Sequence, residues 1–135
     1  MAYTYENRDG GRYLVYAFDA ESVSPRGALI RGYTRQRQLF RAIAWMQGKP
    51  LPAAVEKEPG LYVLCRKSGD ELAVGIWNFW NDLGMPKVIP LDGEYREIRP
   101  IGETKAALDG DKVQVDSVIP PYGFAGFVVK KWTKF

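Results

Sequence analysis

A chain of 135 residues, 46% apolar and 26% charged, can bury the core of one domain without disulfides or metals. One cysteine and no histidine exclude Ser-His-Asp and Cys-His catalysis and most catalytic zinc sites. The net charge of +3 is spread along the chain, unlike the basic stripe of a nucleic-acid binder, and no apolar run is long enough to span a membrane.

Residues 1–11 are polar and end in Gly10-Gly11, which reads as a flexible lead-in. They lack the basic start and apolar run of a signal peptide, so a cytoplasmic setting is favoured for the chain as it stands. Residues 12–18, RYLVYAF, are aromatic and β-branched and predict a strand buried on both faces. Residues 19–33 read as a loop. Thr34 is a good N-cap for a helix over RQRQLFRAIAWMQ. Leu39, Ile43 and Met46 form its apolar stripe, widened by Phe40 and Ala44, while Arg35, Arg37, Gln38 and Arg41 take the other faces. Gly48 predicts the stop, and Pro50 and Pro52 forbid continuation. The cluster Arg31, Arg35, Arg37 and Arg41 supports a nucleic-acid-binding hypothesis only weakly against a solvated helix face, so no nucleic-acid partner is expected.

After a connector at 51–60 the pattern becomes short strands and turns. Strands are expected at 61–66, 71–80, 86–90, 95–99, 106–108, 112–115 and 123–130. The segments 67–70, 91–94 and 109–111 supply turns. Turns at this spacing predict an antiparallel sandwich. Alternation sends Leu72, Val74 and Ile76 to one face and Ala73, Gly75 and Trp77 to the other. It likewise opposes Phe124, Gly126 and Val128 to Ala125, Phe127 and Val129. The expected fold is mainly β: a two-layer antiparallel β-sandwich of about seven strands, with one N-terminal α-helix packed against it. Residues 1–50 form a strand-and-helix connector or remnant of a preceding domain, and residues 51–135 the sandwich domain.

The distinctive segment is Trp77, Phe79, Trp80, Asn81 and Asp82, where a strand runs into a loop. Flat rings beside amide and carboxylate groups suit sugars: CH groups stack on the rings and the polar groups bond the hydroxyls. The competing reading has Phe79 and Trp80 capping the core and Asn81-Asp82 making an Asx turn. Paired carboxylates could hydrolyse glycosides, but Asp70, Glu71, Asp82, Asp92, Glu94, Glu97, Glu103, Asp109, Asp111 and Asp116 lie mostly in turns, where Asp is favoured for backbone reasons. Asp109-Gly110-Asp111 reads as a turn, not a calcium loop, and Cys65 as a buried inert thiol. No catalytic residue, metal set or cofactor motif is read.

The runs LAVGIWNFWND, LDGEYREI and DKVQVDSVIPPYGFAGFVVKK resemble the C-terminal β-sandwich of large multidomain glycoside hydrolases, a resemblance that covers roughly Leu61 to Lys131. Upstream, GGRYLVYAFDA and RQRQLFRAIAWMQGKPLPA are similar to the end of the glutamine-amidotransferase-like trimerisation domain of β-galactosidases. Neither stretch carries a catalytic motif of those families. The resemblance implies a non-catalytic C-terminal accessory domain, partnered by the catalytic module of the same parent polypeptide. The alternative is a carbohydrate-binding module using the exposed aromatics.

Overall fold

The computed structural model describes residues 2–16, 33–58 and 60–131. Among them are nine strands and one helix, so the chain is mainly β. It divides into two compact units, Met1–Leu51 and Pro52–Phe135.

In the first unit β1 (Ala2–Glu6) pairs antiparallel with β2 (Arg12–Tyr16). Residues 2–6 are therefore a strand and not a flexible lead-in. Tyr3, Thr4 and Tyr5 are β-prone, and Asn7 closes the hairpin, its Oδ1 accepting the N–H groups of Asp9 (3.1 Å) and Gly11 (2.6 Å). Nor is β2 buried on both faces: Tyr13 and Val15 are exposed, because a two-stranded ribbon has one face left over. Residues 17–32, with Arg31 among them, lie outside the described residues.

The helix α1 runs Tyr33–Gln47, starting one residue before the expected N-cap. It stops as Gly48 predicts. With φ +67°, Gly48 donates to Trp45 O, and Lys49 donates to Ala44 O. This is the paired hydrogen-bond pattern of a Schellman cap. Arg12 of β2 holds this end: its guanidinium lies 5.4 Å over the Trp45 ring and donates to the Trp45 carbonyl at 2.6 Å. A cation at a helix C-terminus meets the negative end of the dipole. Leu39, Phe40, Ile43 and Ala44 are half-buried, while Arg35, Arg37 and Arg41 are exposed; Met46, expected in the apolar stripe, is exposed as well, in the last turn of the helix.

The second unit holds seven strands in two antiparallel sheets. One sheet has the order β3 (Leu61–Ser68), β4 (Glu71–Asn78), β9 (Phe124–Lys130), β6 (Glu97–Ile101). The other has the order β5 (Lys87–Pro90), β8 (Lys112–Val115), β7 (Ala106–Asp109). Gly-Asp loops at 69–70 and 110–111 join β3 to β4 and β7 to β8. Gly69 (φ +57°) and Gly110 (φ +63°) take the left-handed conformation that tight hairpins require. The sheets share one core: Leu72, Val74, Ile76, Ala125, Phe127 and Val129 from the first meet Ile89, Val113 and Val115 from the second. Inward and outward sets on β4 and β9 are those the alternation predicts.

Boundaries differ where side chains intervene. β4 ends at Asn78 and not Trp80, because the buried Asn78 amide closes a turn there. β6 begins at Glu97 and not Tyr95, because Tyr95 is buried beneath the preceding turn and its hydroxyl is bonded to Asp92. The outer strand β6 carries Pro100 and β5 carries Pro90, both at sheet edges where a missing N–H is tolerated.

Phe127 is wholly buried at the centre of this core. Phe127→Ala is expected to cost about 3–5 kcal/mol, read as a lower urea midpoint with an unchanged slope.

Candidate functional site

The ladder between β4 and β9 sets Gly75 opposite Gly126 and Trp77 opposite Phe124. These four share the outward face of the four-stranded sheet. Lacking side chains, the glycines let the two rings lie down along the sheet. A Cβ on Gly75 would stand 2.4 Å from the Trp77 ring, and one on Gly126 would stand 2.5 Å from the Phe124 ring. The rings meet each other with centroids 4.8 Å apart at 52°. Tyr62, opposite Trp77 on β3, meets Phe79 edge-on at 5.0 Å. Leu64, Tyr62, Phe79, Phe124 and Ile101 are all exposed, so this end of the face is apolar and open, while Arg66 and Arg99 stand on it farther along.

The five residues singled out from sequence do not act as one cluster. Trp77 is half-buried on the outer face and Phe79 is 57% exposed, so Phe79 does not cap the core. Trp80 lies against Gly60, where a Cβ would fall within 2.0 Å of the indole. It lines, with Leu61 and Leu83, a pocket of about 140 Å³, too small for a sugar ring's usual cleft. Asn81 and Asp82 are exposed. The Asx-type turn expected of them is made instead by Asn78. Its Oδ1 accepts the Trp80 N–H (2.9 Å), and its Nδ2 donates to the carbonyls of Asp82 (2.7 Å) and Ile119 (3.0 Å). One amide thereby ties the end of β4 to the segment before β9.

Three aromatic residues outside the sequence-predicted set join this end of the sheet. Tyr62 and Phe124 could have been found from the parity of their strands. Tyr122 could not, because its position depends on a hydrogen bond to Asn81 across 41 residues of chain (3.0 Å).

A second constellation sits at the far end of the sheet. Asp92 accepts hydrogen bonds from the Tyr95 hydroxyl (2.6 Å) and Lys67 (3.2 Å), with Lys131 at 3.6 Å. Lys131 also lies 4.9 Å over the Tyr95 ring. Burial alone would raise the Asp92 carboxyl, but the bonds from Tyr95 and Lys67 and the charges of Lys131 and Lys67 outweigh it and hold the group below its ordinary value. Burial, reinforced by the bond to Asp92 and its charge, pushes the Tyr95 phenol well above its usual range. These groups clamp β3 and the chain after β9 to the turn before β6.

Cys65 is exposed, contrary to the buried thiol expected, because β3 is an edge strand whose outer half overhangs the core. Its sulfur is nonetheless shielded enough that desolvation pushes the thiol up, with a backbone hydrogen bond to Ala53 opposing and the Asp92 charge reinforcing. A thiol kept protonated is a poor nucleophile. Glu71, Asp82, Glu94, Glu97, Glu103, Asp109, Asp111 and Asp116 are exposed on turns and strand edges, and Asp92 is committed to its clamp.

Comparison of the chain with protein-family models, with curated proteins and with solved structures finds no match.

Two outcomes are expected. Gly75→Ala must displace the Trp77 ring, costing about 1–2 kcal/mol and changing the near-UV circular dichroism while the far-UV signal holds. Asp92 contributes stability that is present above its unfolded-state value and disappears as pH falls through its depressed folded-state value. Asp92→Asn should therefore lower stability at neutral pH by about 1–3 kcal/mol and flatten the acid limb of the stability curve, followed by urea unfolding across that limb.

Proposed function

We propose that the chain is a non-catalytic accessory β-sandwich module of a glycoside-hydrolase-like protein, and that it packs beside a catalytic module through the outer face of its four-stranded sheet. The observation that carries this is the face itself. A sheet face in water normally carries polar residues at its outward positions. Here half of the face, toward the loop end, holds Tyr62, Leu64, Trp77, Phe124 and Ile101, with Gly75 and Gly126 leaving it low, while Arg66, Arg99, Glu71 and Lys130 carry charge on the other half. A contiguous apolar surface of this kind marks a place of contact. The scattering of the carboxylates over exposed turns is consistent with a module that performs no hydrolysis of its own.

A second reading, carbohydrate binding, is favoured at one place only: the loop end of the sheet, where Phe79 stands beside the exposed amide and carboxylate of Asn81 and Asp82. Rings with hydrogen-bonding groups at their margin are the equipment of sugar recognition. The two readings meet at Phe79, whose ring packs against Tyr62 of the packing face.

The packing reading is tested on the 135-residue chain by the double substitution Leu64→Lys and Ile101→Lys. Both residues are exposed, so stability should stay within about 0.5 kcal/mol. Binding of an apolar dye and any self-association in sedimentation should fall sharply. Dye binding and sedimentation identical to the parent would reject the face as a contact surface. Tryptophan fluorescence titrated with oligosaccharides tests the second reading: a change on binding is expected, and a flat response to varied sugars would reject it.

A further inference from the structure

Pro120, Pro121, Tyr122 and Gly123 form a tight turn in which the Gly123 N–H donates to the Pro120 carbonyl at 2.8 Å. Proline in second place and a φ of +60° at Tyr122 in third place are the marks of a type II turn. That third place belongs to glycine or asparagine, since a larger side chain there crowds the following carbonyl. A tyrosine occupies it here, and its ring returns nothing to the core. Tyr122 is 74% exposed, more than any other exposed large hydrophobic residue among those described.

The ring is nevertheless firmly mounted. Its hydroxyl donates to Asn81 Oδ1 at 3.0 Å. Next to it, the Gly123 carbonyl accepts the Asn78 N–H at 3.0 Å, which anchors the turn to the end of β4. Gly123 itself tolerates no side chain, because a Cβ would come within 2.8 Å of Pro120. An unfavoured backbone, a fixed hydroxyl and a solvent-facing ring occur together. Strain held where packing gains nothing is characteristic of binding positions.

We propose that Tyr122 and Asn81 form a preorganised saccharide contact, with a sugar ring stacked on the tyrosine and the asparagine amide bonded to its hydroxyls. This rests on the carbohydrate reading of the loop end. The chemistry favours a neutral sugar. Because Oδ1 of Asn81 is taken by the Tyr122 hydroxyl, the exposed amide offers a ligand its N–H donors, and the phenolic oxygen keeps its accepting lone pairs. Asp82, exposed on the adjoining position, supplies further acceptors. Holding the ring and amide in place before the ligand arrives lowers the entropy lost on binding.

The full chain and its Tyr122→Gly and Tyr122→Phe variants are titrated calorimetrically with cellohexaose, xylohexaose and mannohexaose, and their melting temperatures are recorded. The parent should bind at least one of these sugars. Tyr122→Gly should melt at the same or a higher temperature, since glycine suits the turn, while binding about tenfold or more weakly. Tyr122→Phe should lose less affinity, because stacking survives and only the hydroxyl is gone. A lower melting temperature for Tyr122→Gly would make the ring structural and overturn the proposal. Unchanged affinity in that variant would overturn it too, while leaving carbohydrate binding by the other aromatics intact. A parent that binds none of the three sugars would remove both readings together.

Discussion

The antiparallel ladder between β4 and β9 is the constraint on which the second unit depends. It pairs Glu71–Trp77 with Phe124–Lys130, strands separated by most of the unit's length. Its inward positions place Leu72, Val74 and Ile76 beside Ala125, Phe127 and Val129, and these residues form one whole side of the buried core. Its outward positions run from Glu71 and Lys130 through Ala73 and Val128 to two glycines and then two aromatic rings. Buried packing and open platform are the two faces of a single register, and a slip of one residue would exchange them.

The same ladder explains why the loop end is ordered. Past Trp77 the chain turns, and Asn78 takes over from the strand, its backbone N–H bonded to Gly123 O and its amide to Ile119 O and Asp82 O. A buried amide with all these bonds made fixes a turn that would otherwise carry unsatisfied carbonyls. The aromatic residues that follow are thus presented by a rigid base. At the other end the Asp92 clamp performs a similar closing role with charge instead of an amide.

Much of this was legible in the sequence, and for local reasons. Period-two alternation on β4 and β9, glycines at the hairpin loops and Gly48 after the helix each act within a few residues. What was not legible depends on distant partners. The strand at Ala2–Glu6 exists because Arg12–Tyr16 folds back on it, and nothing in a five-residue N-terminal run announces that pairing. Phe79 and Trp80 are adjacent in the chain but part company, one meeting Tyr62 and the other Gly60, and neither neighbour can be identified without the strand order. Cys65 looks buried by alternation. Its exposure follows from β3 being outermost in its sheet, and that too is a matter of topology.

Pro100 in β6 has a bearing on how this molecule meets others. A proline ring on an outermost strand removes a donor and adds bulk where an incoming backbone would have to align. Glu97 and Arg99 on the same strand are charged and exposed. Copies of the chain are thereby discouraged from polymerising rim to rim along that border, as an unguarded ribbon would. The proline thus guards the β6 border of a sheet whose broad side carries apolar surface.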